Sequence, residues 1–162
     1  MSNKAVTKSL EVMFRQVNTV IYKRGRSVLT GMQVSTLQFN ALLTLREFGT
    51  LTMGELCKYL FIACSTATDL VDRLEKVGFV ERLRDHKDRR VVRVNLLPKG
   101  EEVVNSVIME RQVFLGEVLE EYSDQERADL HRVLELLAAR IEKIDSTLPC
   151  KDEWIKTIKI KI

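Results

Sequence analysis

The sequence has few of the residues that mark crosslinked or sheet-rich proteins. In 162 residues there are 3 Cys, 2 Pro and 7 Gly, and only 6% of the residues are aromatic. Cys57, Cys64 and Cys150 are odd in number and lack a framework spacing, which argues against a disulfide scaffold. The scarcity of Pro, Gly and aromatic residues favours helices over a sheet-rich fold.

Long apolar segments are also lacking. No apolar run reaches the roughly 18–20 residues that would span a bilayer. The N-terminal stretch MSNKAVTKSLEVMF has no uninterrupted apolar core of the kind found in signal peptides. We therefore expect no membrane partner and a cytoplasmic location.

Sequence features of catalytic and metal sites are missing too. His86 and His131 lie far apart, and no Cys/His/Asp cluster has ligand spacing. There is no glycine-rich phosphate loop, and nothing suggests a nucleophile, a base and oxyanion donors together. We expect no enzymatic activity, no cofactor and no metal.

Charge is present but unevenly distributed. The chain is 45% hydrophobic and 30% charged, with a net charge of +3, and its length of 162 residues suits one domain or one domain with an appendage. Residues 1–30 carry a net +5 and residues 81–97 a net +3, whereas residues 98–145 carry −6. This distribution suggests one surface for a polyanion and another kept away from it, although unevenly solvated faces without a partner explain it equally well.

The first segment has the apolar spacing of an amphipathic helix. Apolar residues recur at three- and four-residue steps and predict a helix from Lys4 to about Lys23. Gly25 and Gly31 then predict a loop. The stripe consists of Val6, Leu10, Met13, Val17 and Ile21.

Two capping boxes organise the middle of the chain. Ser35-Thr36-Leu37-Gln38 opens a helix over Thr36–Phe48, and Thr52-Met53-Gly54-Glu55 opens a short helix that ends at Leu60. A further helix is predicted over Ser65–Val77. Two short helices joined by a tight turn are the skeleton of a helix-turn-helix.

A charged hairpin follows. Phe79–Arg84 and Val91–Leu96 are predicted as strands of a two-stranded hairpin, and the tip Asp85-His86-Lys87-Asp88-Arg89-Arg90 contains no apolar residue. A loop rich in Arg and Lys suits the negative potential of a narrow minor groove. An ion pair between Asp88 and Arg90 would aim the arginine, although a solvated turn is the simpler alternative.

Helices are predicted again after the hairpin. Pro98 suits the first turn of a helix that runs to about Tyr122. A third capping box, Ser123-Asp124-Gln125-Glu126, precedes a helix with an apolar seam. Residues 146–162 receive no assignment. The seam consists of Leu130, Leu134, Leu137, Ile141 and Ile144.

The helix over Ser65–Val77 could enter a major groove. A helix of about thirteen residues is roughly 20 Å long, and the groove is wide enough to admit it. Taken alone, it also fits an ordinary amphipathic helix. The predicted buried stripe is Ala67, Leu70, Val71, Leu74 and Val77. The opposite face is Ser65, Thr68, Asp69, Asp72 and Lys76, with Thr66 and Arg73 on one flank.

These motifs together resemble the MarR family of winged helix-turn-helix regulators. The resemblance lies in Val34–Gly100 and includes VSTLQF, LTMGELCKYL, DRLEKVGFV, the DRR triplet and LPKG. It implies a mainly α fold with a small β-hairpin wing, and a homodimer that binds a palindromic operator in double-stranded DNA. It also implies an N-terminal dimerisation helix in 1–30, a DNA-binding lobe in 31–97, dimerisation helices in 98–145 and a tail in 146–162.

The resemblance also assigns candidate DNA contacts. Ser65–Val77 corresponds to the recognition helix, and Asp88 and Arg90 correspond to the wing pair, with Arg90 entering the minor groove. The candidates are Cys64, Ser65, Thr66, Thr68, Asp69, Arg73, Lys76, Lys87, Asp88, Arg89 and Arg90.

The chain departs from the family pattern at several positions, which leaves the operator sequence open. Ala63 and Cys64 stand where the family often has a Ser cap and a basic residue, and Asp69 stands where Arg is frequent. An acid at that position could accept a hydrogen bond from cytosine N4 or weaken binding. Leu97 replaces a usual Thr cap.

Further functions stay open at the level of sequence. By resemblance, a small effector would bind between the dimerisation helices and the lobe, lined by Phe14, Val17, Tyr22 and Phe39, although these fit plain core residues as well. Cys64 near a helix start allows a redox-sensing regulator. A winged-helix module that binds protein and not DNA is the remaining alternative.

Overall fold

The computed structural model describes residues 2–84, 88 and 90–145. The predicted tail 146–162 lies outside this part of the chain. In chain order the elements are α1 (Asn3–Gly31), α2 (Thr36–Phe48), β1 (Leu51–Thr52), α3 (Met53–Leu60), α4 (Cys64–Lys76), β2 (Val80–Arg84), β3 (Val92–Leu96), α5 (Pro98–Leu119) and α6 (Asp124–Asp145). The predicted fold class, mainly helical with a small hairpin wing, is confirmed.

One apolar core joins α2, α3, α4, the strands and the first half of α5. Its buried side chains come from every one of these elements, with Leu51 from β1, so the helix-turn-helix and the wing share a single interior. The largest side chains less than 2% exposed are Leu42, Leu45, Leu56, Val71, Leu74, Val80, Val94, Val104 and Val107. We call α2, α3, α4, the three strands and residues 98–108 of α5 the lobe, a definition that adds the first half of α5 to the predicted DNA-binding lobe 31–97.

The sheet has three antiparallel strands in the order β1-β3-β2. β2 pairs with β3 along its whole length, from Val80 opposite Leu96 to Arg84 opposite Val92. The two-stranded hairpin predicted from sequence was therefore incomplete, because Leu51 of β1 also pairs with Val94. Two residues are too short to show the alternating pattern from which a strand is recognised.

All three predicted capping boxes form. The Ser35 hydroxyl accepts from the Gln38 backbone N–H while the Gln38 side chain accepts from the Ser35 backbone N–H. Thr52 and Glu55 make the same reciprocal pair at α3. Ser123 Oγ accepts from the Glu126 N–H at 3.3 Å, and Glu126 accepts from the Ser123 N–H at 2.8 Å. Satisfying these free donors fixes where each helix begins.

The loop predicted at Gly25 is wrong, because α1 continues through it to Gly31. Gly25 is buried, and a Cβ added there would lie 2.8 Å from Nε of Arg111 on α5. The glycine allows α1 and α5 to approach closely. A glycine at a close helix contact and a glycine at a helix end look the same in the sequence, which is why Gly25 was interpreted as the start of a loop.

Other element ends differ by a few residues. α4 runs over Cys64–Lys76, so Val77 is its C-cap, and it is 42% exposed where burial had been predicted. α5 ends at Leu119 and not at Tyr122. Helix ends depend on local capping contacts that periodicity does not encode.

The helices outside the lobe leave apolar side chains in solvent. Every residue of α6 whose side chain is described is exposed except the half-buried Leu137. The first half of α1 and the second half of α5 behave in the same way. The exposed apolar residues in these segments include Val6, Leu10, Met13, Phe14, Val17, Met109, Val113, Val118, Leu130, Val133, Leu134, Leu136, Ile141 and Ile144.

None of the helices in the described ranges is both long enough and apolar enough to cross a membrane.

Candidate nucleic-acid interface

The recognition helix predicted from sequence presents one side to the core and the other to solvent. Ala67, Leu70, Val71 and Leu74 of α4 are buried. The helix begins at Cys64, and its N-cap residue Ala63 makes no side-chain capping hydrogen bond. Its first backbone N–H groups are therefore available to an external acceptor such as a phosphate oxygen.

The polar face of α4 carries short side chains at its start. Ser65, Thr66, Thr68 and Asp69 are all exposed, as is Cys64. Thr68 Oγ1 donates a hydrogen bond to the Cys64 carbonyl at 2.9 Å. The Thr68 hydroxyl can therefore act only as an acceptor toward an external donor. Short hydroxyl and carboxylate groups let a helix approach base edges closely.

One flank of α4 faces the start of α2. Thr66, Asp69 and Arg73 line a small cavity of about 160 Å³ together with Ser35 and Gln38. The α2 capping box thus borders the predicted DNA-contacting face. Lys76 is exposed at the last turn of α4, which places a positive charge at the far end of the same helix.

An arginine of the wing binds α4, the predicted recognition helix. Arg82 on β2 pairs with Asp72 at 2.5 Å and with Glu75 at 2.6 Å, both on α4. The Glu75 carboxylate also accepts from the Arg82 backbone N–H at 3.1 Å. Burial acts to lower the pKa of Arg82, but the hydrogen bonds and charges of Asp72 and Glu75 outweigh it, so the pKa is raised. This arginine clamp orients α4 relative to the wing.

The sequence interpretation missed the arginine clamp. It correctly placed Asp72 on the solvent face, where the side chain is 56% exposed, but did not pair its carboxylate with Arg82. A usable signal was present: Asp72 and Glu75 are three residues apart on one helix face, and an arginine follows on the next strand.

At the wing tip, the structure describes Asp88 and Arg90. Asp88 Oδ1 accepts a hydrogen bond from the Arg90 backbone N–H at 2.9 Å, and the Val91 N–H donates to the Asp88 carbonyl at 2.9 Å. These bonds close a tight turn. The side-chain ion pair between Asp88 and Arg90 stays a prediction, and the candidates Lys87 and Arg89 lie outside the described residues.

The four residues predicted to line an effector pocket fall into two groups. Phe39 is 3% exposed in the core, whereas Phe14, Val17 and Tyr22 are exposed on α1. Phe39 is thus a core residue, as the alternative interpretation had it. The structure also brings an unpredicted residue to this region, Arg111 of α5, whose guanidinium lies 5.5 Å from the Phe39 ring centre.

Arg111 is unusual for a charged side chain. Its Nε is buried and finds no hydrogen-bond partner among the residues that the structure describes. Burial lowers the pKa of Arg111, and the nearby Tyr22 opposes that shift. A buried donor without an acceptor costs free energy, so an acceptor placed next to Arg111 Nε would be stabilised by a hydrogen bond. Nothing in the local sequence around Arg111 signals this, because the contact depends on how α1 and α5 pack.

Within the described ranges, no group of three or more His, Cys, Asp or Glu residues could hold a metal ion.

Comparison with known proteins gives the family. The model of the MarR family matches residues 34–92. A Bacillus subtilis (strain 168) protein named as the uncharacterized HTH-type transcriptional regulator YsmB is 41% identical over 125 residues, covering 77% of this chain and 86% of its relative. The chain belongs to the MarR family.

Solved structures agree with this assignment. A MarR family protein from Bacillus stearothermophilus has a TM-score of 0.77 at 42% identity, over 87% of this chain and 99% of its own. The transcriptional regulator Tm0710 from Thermotoga maritima has a TM-score of 0.78 at 30% identity, over the same shares of the two chains. The chain is therefore a MarR-family transcriptional regulator with a DNA-binding winged helix.

Proposed function

We propose that this chain binds a palindromic operator in double-stranded DNA as a homodimer in the cytoplasm, and that it represses transcription until a small ligand relieves it. The observation that carries the proposal is the exposed polar face of α4, held to the wing by the arginine clamp. The arginine clamp holds α4 and the wing in one relative orientation, which simultaneous binding in adjacent major and minor grooves requires.

The DNA contacts follow from this unit. The first turns of α4 enter the major groove, where Ser65, Thr66, Thr68 and Asp69 reach base edges and the uncapped helix start approaches a phosphate. Arg73 and Lys76 contact the backbone. Arg90 at the wing tip inserts into the adjacent minor groove.

Dimerisation is supported by the apolar surface outside the lobe. Val17 of α1, Met109 and Val113 of α5 and Ile144 of α6 are each more than half exposed. Large exposed apolar patches are rare on monomers and mark interfaces, so we infer that a second copy covers these side chains. Pairing two copies through these helices would place two α4 helices side by side, matching a palindromic site.

Relief by a ligand is supported by the surroundings of Arg111. Its unpaired Nε lies beside α1, close to Tyr22 and Phe39, at the boundary between the lobe and the helices proposed to dimerise. A ligand with an anionic group and an aromatic body would supply the missing acceptor. Binding there would change the separation of the two α4 helices and so shift the population away from the DNA-bound state.

The test uses Arg90→Ala, with Arg132→Ala as matched control because Arg132 is an exposed arginine on α6. We measure fluorescence anisotropy on a DNA fragment found by footprinting the upstream region of the chain's own gene. Arg90→Ala should cost about 1–3 kcal/mol of binding free energy per subunit, with the melting temperature unchanged. Equal affinity of Arg90→Ala and the parent would show that the wing assignment is wrong.

A salt titration separates this proposal from a protein-binding module. Counterion release makes DNA affinity fall linearly on a log–log plot of salt, with a slope close to the number of phosphates neutralised. A module that binds protein alone would give no operator signal at low salt. That result would reject the DNA-binding proposal.

A further inference from the structure

The C-terminal end of α4 is bound by a lysine from another helix. Val77 is the C-cap residue of α4, and its carbonyl oxygen accepts a hydrogen bond from Lys99 Nζ at 2.9 Å. Lys99 lies in the first turn of α5, 22 residues further along the chain. The contact therefore joins the end of the predicted recognition helix to the helix that leads out of the lobe.

Lys99 adds a third hydrogen bond to the C-terminal cap of α4. Two carbonyls of the last turn, at Leu74 and Glu75, accept at 2.9 Å from backbone N–H groups of the turn that follows. The carbonyl of the C-cap residue lies beyond these two bonds and accepts from Lys99. A positive charge at this end also interacts favourably with the helix dipole. The lysine thus suits the end of a helix, although it belongs to a different one.

The turn after α4 also packs directly on the start of α5. The Leu97 N–H donates to the Phe79 carbonyl at 3.0 Å. The Lys99 ammonium group lies 5.4 Å from the centre of the Phe79 ring, within the range of cation–π attraction. At Gly100 there is no room for a Cβ beside the same Phe79 carbonyl. The turn therefore has little freedom to move relative to α5.

Lys99 and the arginine clamp hold α4 to different elements. Arg82 binds Asp72 and Glu75 and so connects α4 to β2. Lys99 binds the C-cap residue and so connects α4 to α5. The first turn of α4, in contrast, has no side-chain cap at Ala63. The direction of α4 is therefore set from its C-terminal half.

We propose that Lys99 is a positioning residue for operator recognition, which sets the direction of α4 from α5 and does not itself contact DNA; the operator half of this inference rests on the proposed function. Lys99 is exposed, so its hydrogen bond should add little to the stability of the fold. Its effect is on geometry. A change of direction at the C-terminal end is carried along the 13 residues of α4, roughly 20 Å, to the first turn.

Loss of direction should affect sequence discrimination more than general affinity for DNA. Hydrogen bonds to base edges depend steeply on distance and angle. Attraction between positive side chains and phosphates carries no sequence information and acts on any duplex. Removing the Lys99 donor should therefore weaken binding to the operator and leave binding to unrelated DNA unchanged.

The first experiment uses Lys99→Met in the free protein and does not depend on DNA. Methionine keeps an unbranched apolar side chain beside the Phe79 ring and removes the donor. The N–H groups of Gly78 and Phe79 report on this end of α4, because they donate to carbonyls of its last turn. Both amides should exchange with deuterated solvent about two- to tenfold faster in the variant, as measured by NMR. Unchanged exchange at both amides would show that Lys99 does not hold the end of α4.

The second experiment compares the footprinted operator with a scrambled duplex of the same length and composition. The parent is measured first. Equal affinity of the parent for the two duplexes would reject the proposed function and with it the operator half of this inference, whereas the exchange result would stand. Lys99→Met should lose roughly tenfold in affinity for the operator, the cost of about one base contact, with its affinity for the scrambled duplex and its salt slope unchanged.

Other roles of Lys99 give different patterns. A direct phosphate contact would weaken binding to both duplexes alike and lower the salt slope by about one. A loss of folded protein would also weaken both alike and would lower the melting temperature. Either pattern would overturn the positioning role. Lys4→Met, which removes an exposed positive charge in the first turn of α1, is the control and should bind both duplexes as the parent does. The same selective loss in Lys4→Met would assign the effect to charge and not to position.

Discussion

The lobe and the helices around it differ in how completely their apolar side chains are buried within one chain. In the lobe, α2, α3, α4, the sheet and the first half of α5 bury their apolar faces against one another, and Leu42, Leu56 and Val94 are fully buried. In α6 and the outer halves of α1 and α5, apolar residues such as Met109 and Ile144 lie 64% exposed. The lobe thus buries its apolar core within one chain, whereas the outer helices have apolar faces that one copy of the chain does not cover.

The largest effect should come from placing charge on the outer helices. Leu134→Glu combined with Ile141→Glu puts two carboxylates on the α6 seam, where both side chains are 47% exposed in one chain. If a second copy buries this seam, the dimer should dissociate, because unpaired charges are strongly disfavoured in an apolar interface. Light scattering should then give half the mass of the parent, and operator affinity should fall by about two orders of magnitude, since one lobe binds alone.

The control for that pair is Ala139→Glu, which adds a carboxylate on the opposite side of α6. It should leave the mass unchanged. A parent protein that is already monomeric would contradict the comparison itself.

The next effect should come from the lobe. A Cβ at Gly100 would lie 2.4 Å from the Phe79 carbonyl oxygen and 2.8 Å from a Leu96 methyl group. Backbone cannot yield as a flexible side chain does, so Gly100→Ala should cost roughly 3 kcal/mol of unfolding free energy by overpacking. Chemical denaturation measures it.

Gly116 in the same helix provides the matched control, because nothing lies within 4 Å of a Cβ added there. Gly116→Ala should stabilise the protein by up to about 1 kcal/mol through helix propensity. Equal effects at the two glycines would mean that the lobe is packed no more tightly than the outer half of α5.

A smaller effect is expected at the arginine clamp. Arg82→Gln removes the pairs with Asp72 and Glu75, which are 56% and 40% exposed, so the stability loss should be only about 1 kcal/mol. The operator affinity should fall by more than this, because the angle between α4 and the wing is no longer fixed. Arg84→Gln, on the same strand and exposed, is the control for lost charge. A clamp variant that binds operator as tightly as the control would remove the orienting role.

The smallest effect is expected at Phe61, whose backbone is left-handed and whose side chain is 76% exposed. Phe61→Gly relieves a conformation that side chains with a Cβ adopt at a cost of about 1 kcal/mol, so thermal unfolding should shift upward relative to Phe61→Ala. Phe61→Ala removes the ring and keeps the strain. A glycine variant no more stable than the alanine variant would contradict the strain argument.

The sequence predicted those features that depend only on residues close together in the chain. The capping boxes at Ser35, Thr52 and Ser123 and the buried stripe of α4 depend on neighbours within one or two turns. The three capping boxes formed, and so did the stripe except at Val77. Strand β1, the close approach at Gly25 and the Arg111 contact depend on residues far apart in the chain. No periodicity encodes these contacts, so they could not be found from one sequence. The Arg82 contact was missed although the spacing of Asp72 and Glu75 signals it.

The candidate site divides in the same way. The polar face of α4 was predictable, because it is the complement of the buried stripe. The wing tip and the operator preference at Asp69 stay predictions.

The arginine clamp has a consequence for how an operator can vary. Arg82 binds α4 to β2, the strand that leads into the wing. The distance between α4 and the wing is therefore constant within one lobe. On the palindromic operator that we propose, inserting a base pair inside a half-site should therefore displace either α4 or the wing from its groove. An insertion between half-sites meets a different linkage, the outer helices. Spacer length and half-site length should for this reason tolerate change to different extents.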